Sequence, residues 1–140
     1  MRYLKPFKGV SEFFSLIVLN DFIHHPYSQE NELTKFLLEN NANQLDFEIT
    51  LEIIDAIFDR SARNTAGIIA ACVIQSNKGK SITEPVCVLC NGTTFYKTYK
   101  LRQRVEAYLD EVLTKQRNLY YRIATVEDDI TFGTALAGLM

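Results

Sequence analysis

A chain of 140 residues, 47% hydrophobic and 23% charged, is long enough for a real core and reads as one globular domain; that composition excludes disorder. Its 17 acidic and 15 basic residues leave a formal charge of -2, with no broad electrostatic pull toward nucleic acid or anionic lipid. No apolar run is long enough to span a bilayer and no signal-type segment follows Met1-Arg2-Tyr3-Leu4-Lys5, so a cytoplasmic protein with reduced thiols at Cys72, Cys87 and Cys90 is expected.

The first half predicts helices. Val10, Phe13, Phe14, Ile17 and Val18 recur at helical spacing, and the segment ends at His24-His25-Pro26 because the residue before a proline avoids the helical region. The paired histidines read as a solvated helix end, with no carboxylate or cysteine pattern nearby to make them ligands. Ser28 is the expected cap of a second helix carrying Leu33, Phe36 and Leu37, which stops at Glu39-Asn40-Asn41. Asp46 opens a long helical run with Phe47, Ile49, Ile53, Ile54, Ile57 and Phe58 as its apolar residues. From Asp59 to Gly67 small residues replace large ones, and Ala62, Ala66, Ile69, Ala70 and Val73 continue the buried stripe to about Gln75. Arg60 and Arg63, one turn apart, suit either a phosphate or an ion pair of Arg60 with Asp59 or Asp55. Ser76-Asn77-Lys78-Gly79-Lys80 closes the helix and lacks P-loop spacing.

The second half alternates. Val86 to Cys90 are uninterrupted apolar residues after Pro85, the pattern of a strand covered on both faces. Cys87 and Cys90, three apart on a strand, point to opposite faces, which suits two buried thiols and no metal. Asn91-Gly92 forces a turn, either an ordinary hairpin turn into a short strand at Thr94 to Lys97 or a place where a ligand meets bare backbone beside the Thr93 and Thr94 hydroxyls. Leu101, Val105, Tyr108, Leu109 and Val112 mark an amphipathic helix, Tyr120 to Val126 a strand, and Thr131 to Leu139 a small-residue helix. Glu127-Asp128-Asp129 before it suits magnesium or the positive end of that helix. A helical half followed by strand, hairpin, helix, strand and helix predicts an α/β layer without an internal domain boundary.

Asp59-Arg60-Ser61-Ala62, the run Pro85 to Lys97, and Glu127-Asp128 leading to Gly133-Thr134-Ala135-Leu136-Ala137, taken in order, resemble the C-terminal part of hexokinases, best from about Ile53 to Met140. The resemblance implies the C-terminal portion of an actin-like, ribonuclease H-like ATPase domain. It implies ATP with Mg2+ as cofactors, and nucleotide contact at Asn91, Gly92, Thr93 and Lys97, with Arg60 and Gly133 as secondary positions. Asn91-Gly92-Thr93 is similar to the family's Asp-Gly-Ser adenosine turn, with asparagine in place of aspartate. Near the C-terminus Asp129 to Leu136 keeps one glycine of a Gly-Ser-Gly-x-Gly run.

The family's Asp-Gly-Gly-Thr phosphate loop and its sugar-binding segments do not occur in these 140 residues. No catalytic residue is therefore assigned, and the chain is expected to need a missing N-terminal half before it can take a hexose such as glucose. A face left open by that half would favour self-association. The competing reading is a non-catalytic binding or regulatory module derived from a kinase half.

Overall fold

The computed structural model describes residues 14–124, which fall into two compact units, one ending at Arg60 and the other beginning at Ser61. The elements are α1 (Leu16–His24), α2 (Glu32–Glu39), α3 (Gln44–Ser76), β1 (Val86–Leu89), α4 (Thr93–Lys97), α5 (Leu101–Leu109), a π-helical turn (Asp110–Lys115) and β2 (Tyr121–Ala124). The architecture is mixed α/β, mostly helical with a two-stranded parallel sheet. Among the described residues, no helix is long and apolar enough to cross a membrane.

In the first unit α1 ends where expected, with His25 as its C-cap just before Pro26. Asn31, not Ser28, caps α2: its buried side-chain oxygen accepts from the Leu33 and Thr34 amides, while its Nδ2 donates to the Val18 carbonyl and the Asp21 carboxylate. Ser28 instead accepts from the Glu30 amide in a local turn, so the helix starts one turn later than the serine suggests. Asn43 and Asp46 exchange hydrogen bonds, the Asn43 amide donating to Asp46 Oδ2 and the Asp46 amide to Asn43 Oδ1. That reciprocal cap starts α3 at Gln44. Phe22 is fully buried and stacks on Phe47 at 6.1 Å, and Tyr27 also stacks on Phe47, at 5.4 Å.

The second unit builds its core on the small-residue half of α3. Ala62, Ala66, Ala70 and Val73 recur on one face and are buried with Phe95, Leu101, Val105, Leu109 and Leu113. Val86, Val88, Tyr121 and Ile123 pack against that cluster, so the helices cover one face of the sheet. β1 and β2 run parallel with Val86 opposite Tyr121 and Leu89 opposite Ala124, and the segment between them carries α4, α5 and the π turn. The π turn opens directly from α5, keeps Leu113 in the core after Leu109, and places Asp110 against the sheet. There the Tyr121 hydroxyl donates to Asp110 Oδ1 at 2.9 Å and lies 3.1 Å from the Glu106 carbonyl.

Three expectations need correction. Thr94 to Lys97 is no strand: α4 forms there because Phe95 reaches the core from a helical turn, and β1 takes the distant Tyr121–Ala124 as its partner. The Asn91-Gly92 turn is therefore not a hairpin. β1 is not covered on both faces either, since Cys87 is exposed and Leu89 is 52% exposed on the side away from the helices. Nor are there two buried thiols: Cys87 on β1 is exposed, and Cys90, just past its end, is half-buried against the core. The expected helix from Thr131 to Leu139, the acidic run Glu127-Asp128-Asp129, Gly133, and the positions Val10 and Phe13 lie outside the described residues.

Candidate functional site

The residues singled out around the sheet edge come together on one short stretch. β1 stops at Leu89, the Cys90 amide still donates to the Ala124 carbonyl, and the chain then leaves the sheet at Asn91. Gly92 holds φ +105°, ψ 142° as the residue before α4, a conformation open to glycine and strained for side-chain-bearing residues. A Cβ placed at Gly92 would meet nothing within 4 Å, so its backbone faces open space. Asn91, Gly92, Thr93, Thr94 and Lys97 are all exposed, and together they form a rim of backbone, hydroxyls and one ammonium.

What holds the rim in place lies beneath it. Phe95 is buried and meets Tyr96 edge to face at 5.0 Å. The Tyr96 hydroxyl donates to the Cys90 carbonyl at 3.0 Å, tying α4 back to the end of β1 across the turn. Arg102 lies over the Tyr96 ring at 5.6 Å and pairs with Glu106 at 2.9 Å. Burial pushes the Cys90 thiol above its ordinary value, Arg102 opposes that and Glu106 adds to it, so at neutral pH the thiol stays protonated and is a poor nucleophile.

Lys97 is the last residue of α4, the short helix that Gly92 precedes and Thr93 begins. Arg60 lies exposed on α3 at the end of the first unit, and Gly133 is outside the described residues. Tyr96, whose tie to Cys90 fixes the turn, is not evident from the sequence, since a tyrosine three residues after a Gly-Thr step carries no signal beyond its apolar ring. Gly79 is more than the helix stop its position suggests. Gly79 is buried at φ +76°, its carbonyl accepts from the Tyr120 amide at 2.7 Å, and a Cβ there would sit 2.5 Å from the Tyr120 carbonyl oxygen.

The rim offers a ligand open backbone at Gly92 for close approach and threonine hydroxyls that can donate or accept. It does not suit a metal, and among the described residues no group of three or more His, Cys, Asp or Glu side chains is placed to hold one. Compared with known protein families, the chain matches the family described as Hexokinase over residues 3–140. No solved structure matches it significantly.

Proposed function

The chain belongs to the hexokinase family, and from that premise we propose that it supplies the nucleotide side of an ATP-dependent phosphotransferase acting on a hexose such as glucose. The observation that carries this reading is the Gly92 turn, where a positive-φ glycine with open space above its backbone begins a helical turn bearing Thr93 and Lys97. In this role the Gly92 backbone lies against the nucleoside, the Thr93 hydroxyl hydrogen-bonds to it, and Lys97 stands on the adenine side. Asn91 keeps the turn, because asparagine favours such conformations as aspartate does. Bound Mg-ATP supplies the transferable phosphoryl group, and the described residues only position its nucleoside end.

Phosphoryl transfer needs groups that align the phosphates and spread their charge. The 140 residues contain no Asp-Gly-Gly-Thr run, which supports the further reading that this chain alone does not phosphorylate sugar. Ile49, Ile53 and Ile57, exposed at four-residue spacing along α3, support a companion reading in which this face meets more protein, whether an N-terminal half or a second copy. A concentration-independent monomer on size exclusion would count against that companion reading.

The direct test is equilibrium binding of ADP to the 140-residue chain, expected at about millimolar affinity or tighter. Gly92→Val should weaken it at least tenfold and Thr93→Ala by a smaller factor. Unchanged binding in both variants would remove the turn from the nucleotide site.

A further inference from the structure

The second unit holds another concavity, a groove of about 320 Å³ between α3 and the helix formed by α5 and its π turn. Its walls are Gly67, Ala71 and Ile74 from α3 and Val112 from the π turn, while Arg63 and Tyr108 contribute its polar groups. These two meet each other: Arg63 Nε donates to the Tyr108 hydroxyl at 3.0 Å, and the guanidinium lies 5.6 Å from the ring centroid. Along α3, Arg63 is the first lining residue and Ile74 the last, so the polar groups gather at one end of a groove roughly 16 Å long at 1.5 Å per residue. The groove is open beside Gly67, where a Cβ would meet nothing within 4 Å. A π turn along one wall adds weight, because such turns are frequent at functional sites.

We propose that this groove binds a medium-chain fatty-acid anion, its carboxylate on Arg63 and its hydrocarbon chain along Gly67, Ala71, Ile74 and Val112. Charge complementarity selects the head group. Among the described lining residues Arg63 is the one ionised side chain, its planar fork matches a carboxylate, and a phosphate dianion would bring a second charge with no second cation among them to meet it. Apolar walls select the tail, since they offer a sugar or nucleoside almost no hydrogen bonds. The inference stands apart from the Gly92 site and does not depend on nucleotide binding.

The test titrates decanoate, below its micelle-forming concentration, into the 140-residue chain while backbone amide resonances are followed. Saturable shifts at Gly67, Ala71 and Val112 with a dissociation constant of about 1 mM or tighter are expected. Arg63→Gln should weaken binding about tenfold, the usual effect of losing one charge-assisted hydrogen bond. Gly67→Leu should abolish binding by filling the groove, and leucine is the better helix former, so the fold is kept; Ala71→Leu is the second filler. No saturable shift, equal affinity in Arg63→Gln, or shifts confined to other residues would overturn the proposal. So would a wild-type dimer that Gly67→Leu converts to monomer without any decanoate response, which would make a second copy the occupant.

Discussion

Gly79 and Gly92 flank the same strand of the second unit, and both hold positive φ, +76° and +105°. Their surroundings are opposite. Gly79 is pressed against the Tyr120 carbonyl, where a single added carbon would lie 2.5 Å from the oxygen, whereas the space above Gly92 is empty to 4 Å. The shared backbone requirement therefore serves two ends. At Gly79 it lets the loop after α3 lie against the residue before β2, where the Tyr120 carbonyl also accepts the Val86 amide and so joins the loop to the sheet. At Gly92 it leaves bare backbone at the surface, next to hydroxyls, with the scaffold fixed from below by Phe95 and Tyr96. Gly79 thus serves the packing of the fold, whereas Gly92 leaves room beside polar groups for something to approach.

The sharpest way to break this comparison is to put the same methyl group at both positions. Gly79→Ala should cost about 3 kcal/mol of unfolding free energy, combining the steric overlap with backbone strain. Gly92→Ala should cost about 1 kcal/mol, from the conformation alone. Urea unfolding of the two variants measures the difference, and equal losses would mean that the surroundings of Gly79 do not matter.

A smaller effect is expected at the Gly79 end of the sheet, where Tyr121 lies opposite Val86. Tyr121→Phe removes the hydroxyl that donates to Asp110 and should cost about 1 kcal/mol near neutral pH. Burial, then the hydrogen bond to Asp110 and its charge, raise the Tyr121 pKa above the usual tyrosine value. A raised folded-state pKa means that this contribution is complete below about pH 10 and is lost as pH climbs through the folded value, because the unfolded tyrosine releases its proton first. The gap between wild type and Tyr121→Phe should therefore narrow at strongly alkaline pH, and a gap that stays constant there would contradict the assignment.

The smallest contrast lies in the thiols. Cys72 and Cys87 are exposed, while Cys90 is half-buried beneath the turn with its pKa raised by burial. Thiol labelling at pH 7.5 should modify the first two quickly and Cys90 about tenfold more slowly or less. Equal rates would show that the turn does not shelter Cys90.

Much of this was legible in the sequence. The alanine stripe from Ala62 to Ala70 and the spacing Leu101, Val105, Leu109 determine which faces are buried, because helical period and side-chain size act locally. Asn91-Gly92 as a break beside a strand was legible for the same reason. The partner of β1 was not. Pairing with Tyr121 depends on a connection of about thirty residues returning to the sheet, and an apolar pentapeptide carries no record of which strand lies beside it. Thr94 to Lys97 is ambiguous in the same way: four residues containing phenylalanine and tyrosine favour a strand by composition, and the burial of Phe95 against α5 decides for a helical turn. The cap at Asn31 was hidden because Ser28 offered an equally good local signal, and only the tertiary bonds to Val18 and Asp21 favour the asparagine.

If the open turn at Gly92 is the nucleotide-facing surface, as proposed, an ADP titration of the 140-residue chain followed by amide chemical shifts, residue by residue, will show it. Saturable shifts centred on Gly92, Thr93 and Lys97, little change around the buried Gly79, and loss of the response in Gly92→Val are expected. Saturable shifts that leave these three residues unmoved, or a full response in Gly92→Val, would contradict the proposal.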